Sequence, residues 1–110
     1  MTIEIGYRKG SSQIRAGQAG AGRENVEAAL AAFETRLGMG TDDPFTRYYA
    51  ACARTVLGDL DGALEDLERA ARKRPAYTVR RALSEPDLEP LREHTRFAEV
   101  ARLAESVASG

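Results

Sequence analysis

The chain has no tryptophan and only one cysteine and one histidine in 110 residues. A lone cysteine excludes an intramolecular disulfide and any cysteine-pair metal site. The lone histidine, His94, has no second imidazole with which to share a metal, and a His–Glu neighbour pair on one loop arises often by chance. Aromatic residues make up only 6% of the chain, so a domain this short needs most of them inside. No apolar run reaches the ~18 residues of a membrane span, and MTIEIGYRKGSSQ lacks the apolar core of a signal peptide. An excess of charge is missing too. Sixteen basic and seventeen acidic residues leave a net charge of −1, whereas nucleic-acid and membrane-surface binders concentrate positive charge. The expectation is a cytoplasmic, non-catalytic protein without cofactor or metal, and without a membrane or nucleic-acid partner.

Apolar content is 43% and charged content 30%, ordinary for one small globular domain. Two regions differ in texture. Over residues 1–22, Ile3, Ile5 and Tyr7 alternate with polar neighbours, a weak strand pattern. KGSSQIRAGQAGAG follows, with the Gly, Ser and Ala content of a flexible linker. Its glycines lack the preceding strand, spacing and Lys-Ser/Thr of a phosphate-cradling loop.

From Arg23 onward the period becomes helical, so residues 23–110 read as the folded domain. Val26, Ala29, Leu30, Phe33 and Leu37 share one helix face, and Gly38 and Gly40 supply a stop. In TDDP, Asp43 is a helix cap and Pro44 suits the first helical position. Phe45, Tyr48, Tyr49, Cys52, Ala53, Val56 and Leu57 then form a broad apolar face that ends at Gly58. After Asp59, the next helix buries Leu60, Ala63, Leu64, Leu67, Ala70 and Ala71, with Glu65, Asp66, Glu68, Arg69 and Arg72 outward. So short a turn makes these two helices antiparallel neighbours. Pro75 precedes a short helix over 76–84, prolines punctuate SEPDLEP, and Thr95 caps a last helix carrying Phe97, Val100, Leu103, Ala104 and Val107.

Sliding the chain by 34 residues aligns Ala29-Leu30 with Ala63-Leu64 and Phe33 with Leu67, the period of a helix–turn–helix solenoid unit. Leu57-Gly58-Asp59, Ala63, Leu67, Ala70 and Pro75 resemble the second half of a tetratricopeptide repeat, from its inter-helix turn to its closing proline. The first half departs from the pattern. Arg47 and Arg54 stand at the tryptophan-like and tyrosine-like positions, and Ala50-Ala51 replaces the leucine-glycine pair. SEPDLEPLREHTRFAEVARL resembles the closing stretch that follows such repeats in many bacterial proteins. The resemblance covers about one and a half units over residues 24–107. It implies an all-α fold of antiparallel hairpins, stabilised by a C-terminal cap or by association with another copy.

In this family the first helix of each unit lines a ligand-facing groove. The resemblance therefore points to Phe45, Tyr48, Cys52 and Thr55, with Val79 and Ala82 on the following helix. The alternative assignment for these side chains is the core itself. Chaperone-tail binding is not expected, because Tyr48, Tyr49 and Cys52 stand where that activity uses polar residues. Arg69, Arg72, Lys73, Arg74, Arg80 and Arg81 form a cluster without an intervening acid. It reads either as an anion-binding surface or as helix termination, with Glu85, Asp87 and Glu89 neutralising it. Cys52, on an apolar face, is expected to be an inert buried thiol. The functional expectation is an adaptor that binds a peptide or partner helix, with Tyr48 as anchor and Arg80 and Arg81 as electrostatic guides. Two alternatives stand beside it: a homodimer closing the solenoid around Val26, Leu30 and Phe33, and an anion or nucleic-acid binder using the basic cluster.

Overall fold

The computed structural model describes the backbone of residues 2–15, 17, 19–40 and 42–109, with side chains described for 7–14, 17, 20–40 and 42–106. Among these residues the chain is all-helical: α1 Thr2–Arg15, α2 Ala19–Gly38, α3 Pro44–Val56, α4 Leu60–Lys73, α5 Pro75–Ser84, α6 Glu89–Arg92 and α7 Phe97–Ser109, with one 3-10 turn at Pro86–Leu88. The helices stack in chain order: α1 on α2, α2 on α3, α3 on α4, and α4 on both α5 and α7, which also pack on each other. No helix among the described residues is long and apolar enough to cross a membrane.

The central pair follows from its local chemistry. The Asp43 carboxylate accepts from the Phe45 N–H (3.1 Å) and the Thr46 hydroxyl (2.7 Å), and Pro44 opens α3 without wasting a donor. Gly58 closes it at φ +90°, a left-handed conformation open to glycine and strained for other residues. Asp59 then caps α4 by accepting from the Gly62 N–H at 3.1 Å. α4 packs on α3, and Leu64, Leu67, Ala63, Ala70 and Ala71 of α4 and Ala50, Ala51 and Ala53 of α3 are all buried. The alanines leave room for the two helices to approach closely.

Two expectations need correction here. Residues 2–15 are neither a strand nor a linker but a helix packed along α2; the side chains of Ile3 and Ile5 lie outside the described set. The face of α1 turned inward carries Tyr7, Gly10, Ser11 and Ile14. Gly10 and Gly22 form its crossing with α2: a Cβ on either would come within 2.7 Å of the other's carbonyl oxygen. The supposed linker glycines thus bring two helix backbones together. Asn25 also donates to Gln13 across this crossing at 2.6 Å.

Asp66 is the second correction. It is not on the outer face of α4 but 5% exposed, held between two arginines of α3. Arg47 donates to one carboxylate oxygen at 2.9 Å and Arg54 to the other at 2.8 Å. Each arginine has further acids: Asp42 at 2.6 Å for Arg47, and Asp59 and Glu34 for Arg54 at 3.1 and 2.9 Å. The two arginines that break the repeat pattern therefore share one buried acid. Burial opposes their charge, and the hydrogen bonds to these carboxylates outweigh it, raising both pKa values.

The C-terminal part closes against α4. Leu88, Leu91, Val100 and Ala104 are buried, and Phe97 is nearly so. Arg92 donates to the carbonyl of Ala82 (2.8 Å), left open where α5 ends, and to that of Glu85 (2.7 Å), which also accepts from the Leu88 N–H. The side chain that bonds the backbone just before α7 is His94 rather than Thr95: its Nδ1 accepts from the Arg96 N–H at 3.2 Å. Val107 lies on α7, but its side chain is outside the described set.

Candidate anion-binding face

Three helices, α1, α3 and α5, bring every aromatic residue except Phe97 into one connected network, with Phe33 of α2 joining from behind. Tyr49 is its centre, with ring centroids 5.6 Å from Tyr48, 6.1 Å from Phe33 and 6.3 Å from Tyr7. Tyr77 lies 6.0 Å from Tyr48 and 4.8 Å from Phe45, edge to face in both cases. Edge-to-face contacts of this kind add to the ordinary gain from burial.

Two guanidinium groups sit on this network. Arg81 lies 5.1 Å from the Tyr48 centroid, 5.6 Å from Tyr77 and 6.0 Å from Tyr49, and donates to the Tyr77 hydroxyl at 3.2 Å. Arg8 lies 5.7 Å from the Tyr49 centroid and donates to its hydroxyl at 3.3 Å. Electron-rich ring faces attract such cations. Burial works against the charge on Arg81, but the Tyr49 hydroxyl and the surrounding tyrosines outweigh it and its pKa rises. For Arg8 the hydrogen bond to Tyr49 is the main upward influence; Glu85 adds to it through space and Arg81 repels. Neither arginine forms an ion pair with a carboxylate among the described residues. Two like charges are thus gathered around one tyrosine while most of their N–H donors remain open.

Phe45, 42% exposed, carries this face to its edge. Beyond it the surface opens into a cleft of about 840 Å³, where Met39 (77% exposed) meets Lys73 and Arg74. The acids of that cleft are already engaged: Asp43 caps α3, and Asp42 pairs with Arg47.

The structure divides the residues singled out from sequence into three groups. Tyr48, Cys52 and Thr55, expected to line a groove, are buried at 0, 0 and 4% exposure, so they are core and offer nothing to a partner. Tyr48 as a docking anchor is corrected accordingly. Phe45 and Arg81 belong to the arginine–tyrosine face. Val79 and Arg80 turn elsewhere, into a groove between α5 and α7. Arg8 was invisible to sequence reasoning because it stands where a weak strand pattern runs into a segment that reads as a linker.

The basic cluster is also dispersed. Arg72 pairs with Glu68 at 3.0 Å, Lys73 donates to the Asp42 carbonyl at 2.7 Å, and Arg69 borders the polar pocket around Asp66. The Asp87 carboxylate accepts from the Tyr7 and Ser11 hydroxyls of α1, fastening the helix to the turn at Pro86–Leu88. Burial raises the Tyr7 pKa, so its hydroxyl keeps its proton and remains a donor. Burial, followed by the negative charge of Glu85, pushes the Cys52 thiol up to about 12. Such a thiol stays protonated at neutral pH and is a poor nucleophile.

Fold and face together define an all-helical protein of stacked helices carrying a cationic, aromatic surface. No family model, curated protein or solved structure matches the chain.

Proposed function

We propose that this protein is a non-catalytic interaction module whose α1–α3–α5 face binds an acidic segment of a partner protein. The observation that carries this reading is the pair Arg8 and Arg81, converging on Tyr49 with no carboxylate in ion-pair contact among the described residues. Guanidinium groups recognise carboxylates through paired N–H donors, and stacking on tyrosine restricts their motion before the ligand arrives. The Tyr49 hydroxyl adds a further donor. Phe45 and the Met39 cleft offer an apolar neighbour, so the best ligand combines acids with a large apolar side chain.

The tetratricopeptide resemblance supports the same face. If α1/α2, α3/α4 and α5/α7 are the successive pairs, α1, α3 and α5 are the first helices, the ones that line the ligand side in that family. The mechanism is equilibrium binding, with charge steering the encounter and the aromatic edge setting the fit.

Binding of a fluorescein-labelled peptide containing glutamates and a phenylalanine, followed by fluorescence polarisation, tests the proposal. Arg8→Gln should weaken binding by about tenfold, and raised salt should weaken it further. Arg81→Lys keeps the charge but loses the planar stacking, and should weaken it less than Arg81→Gln. Unchanged affinity in Arg8→Gln, no binding of the peptide, or tighter binding of a single-stranded oligonucleotide would each overturn the proposal.

A further inference from the structure

Pro75, Ala76, Val79 and Leu83 of α5 and Ala104 of α7 line a groove of about 380 Å³ that is apolar almost throughout. Leu83 is 59% exposed and, with Met39 and Phe45, one of the large apolar side chains exposed among the described residues. Two charged residues border this groove, and they have opposite signs: Arg80 on α5 and Glu105 on α7. Neither forms an ion pair among the described residues.

We propose that this groove is the surface through which two copies of the chain associate about a twofold axis. An interface of that symmetry uses the same patch on both copies, so each contact between two different positions occurs twice. An apolar strip with one cation and one anion beside it meets that requirement. A twofold rotation sets Arg80 of one copy against Glu105 of the second copy and forms the reciprocal pair at the same time. Leu83 of each copy then enters the other's groove. A partner charged with one sign only would satisfy one border residue and repel the other.

Val26 and Phe33, expected from sequence to mediate self-association, are 0% exposed beneath neighbouring helices. Leu30, the third residue expected from sequence to close a dimer, is partly buried against the core. The groove shares no residue with the arginine–tyrosine face, so the two proposals stand or fall separately.

Sedimentation equilibrium from low to high micromolar concentration tests this. The wild type should rise from 12.0 kDa toward twice that mass and no further, because an isologous contact closes at two. Arg80→Glu and Glu105→Arg should each raise the dissociation constant by about tenfold or more, and the combined exchange should restore it. Both residues are exposed, so circular dichroism should show the helical fold unchanged in each variant. A wild type that stays at 12.0 kDa, a mass beyond the dimer, or a double variant as weak as the singles would overturn the proposal.

Discussion

The α1–α2 and α3–α4 hairpins solve one packing problem by opposite means. In α3–α4 the contact is made of side chains: alanines and leucines fill the space, capping carboxylates set both starts, and Asp66 ties α4 to Arg47 and Arg54. In α1–α2 the central contact is made by the absence of side chains, with Gly10 and Gly22 bringing backbone against backbone. The first arrangement resists change because many groups share the load. The second depends on two positions and gives up helix propensity at both, at roughly 0.5–1 kcal/mol each relative to alanine. Its return is proximity, which lets Tyr7 reach the core and places Arg8 beside Tyr49.

The largest effect should come from the central hairpin. Asp66→Ala removes the acid that two arginines share and leaves them their outer partners, Asp42, Asp59 and Glu34. Breaking a buried pair costs about 3–5 kcal/mol, and these partly exposed arginines lower that to about 2–3. Urea denaturation measures it. A loss below about 0.5 kcal/mol, the range of an ordinary surface substitution, would mean that the network contributes nothing and that the hairpin rests on its alanines and leucines alone.

The glycine crossing should come next. A methyl group at Gly22 would lie 2.5 Å from the Gly10 carbonyl oxygen and 2.8 Å from the Ile14 backbone nitrogen, so the helices must separate. Overpacking of this kind costs ~1–3 kcal/mol, part of which the better helix propensity of alanine returns. Gly20 is the control, because a Cβ there meets nothing within 4 Å. Gly20→Ala should be neutral or stabilising in the same urea titration. Equal effects from the two substitutions would dismiss the crossing as a tight contact.

This difference also explains what could be read in advance. The α3–α4 hairpin was legible because its signals are chemical and local: Asp43-Pro44, Gly58-Asp59, and leucines and alanines at helical spacing. The α1 helix has the same spacing in Tyr7, Gly10, Ser11 and Ile14, but glycine and serine occupy positions where a hydrophobic pattern needs large apolar residues. The segment therefore reads as a linker. Asp66 was misplaced for a related reason. An acid among charged neighbours reads as solvent-facing, and only the fold brings Arg47 and Arg54 across to it. The candidate face was half legible: Phe45 and Arg81 lie on recognisable helices, whereas Arg8 depends on α1.

The smallest effect separates the hairpins by pH. Hydrogen bonding from Arg47, with burial opposing and Lys73 assisting, lowers the pKa of Asp42 below its ordinary value. A carboxylate with a depressed folded-state pKa stabilises the fold fully above its unfolded pKa of about 4, and the gain disappears as pH falls through the lower folded value. Asp42→Asn should therefore cost a small, constant amount near neutral pH, and the difference from wild type should close in acid. Gly22→Ala should behave otherwise, since no titrating group takes part in the Gly10–Gly22 contact and its cost has no reason to fade with acid. Urea midpoints of wild type and both variants from neutral pH to about pH 3 provide the check. A glycine penalty that closes in acid along with that of Asp42→Asn would show that the two hairpins unfold through one shared electrostatic transition, and the contrast between them would fail.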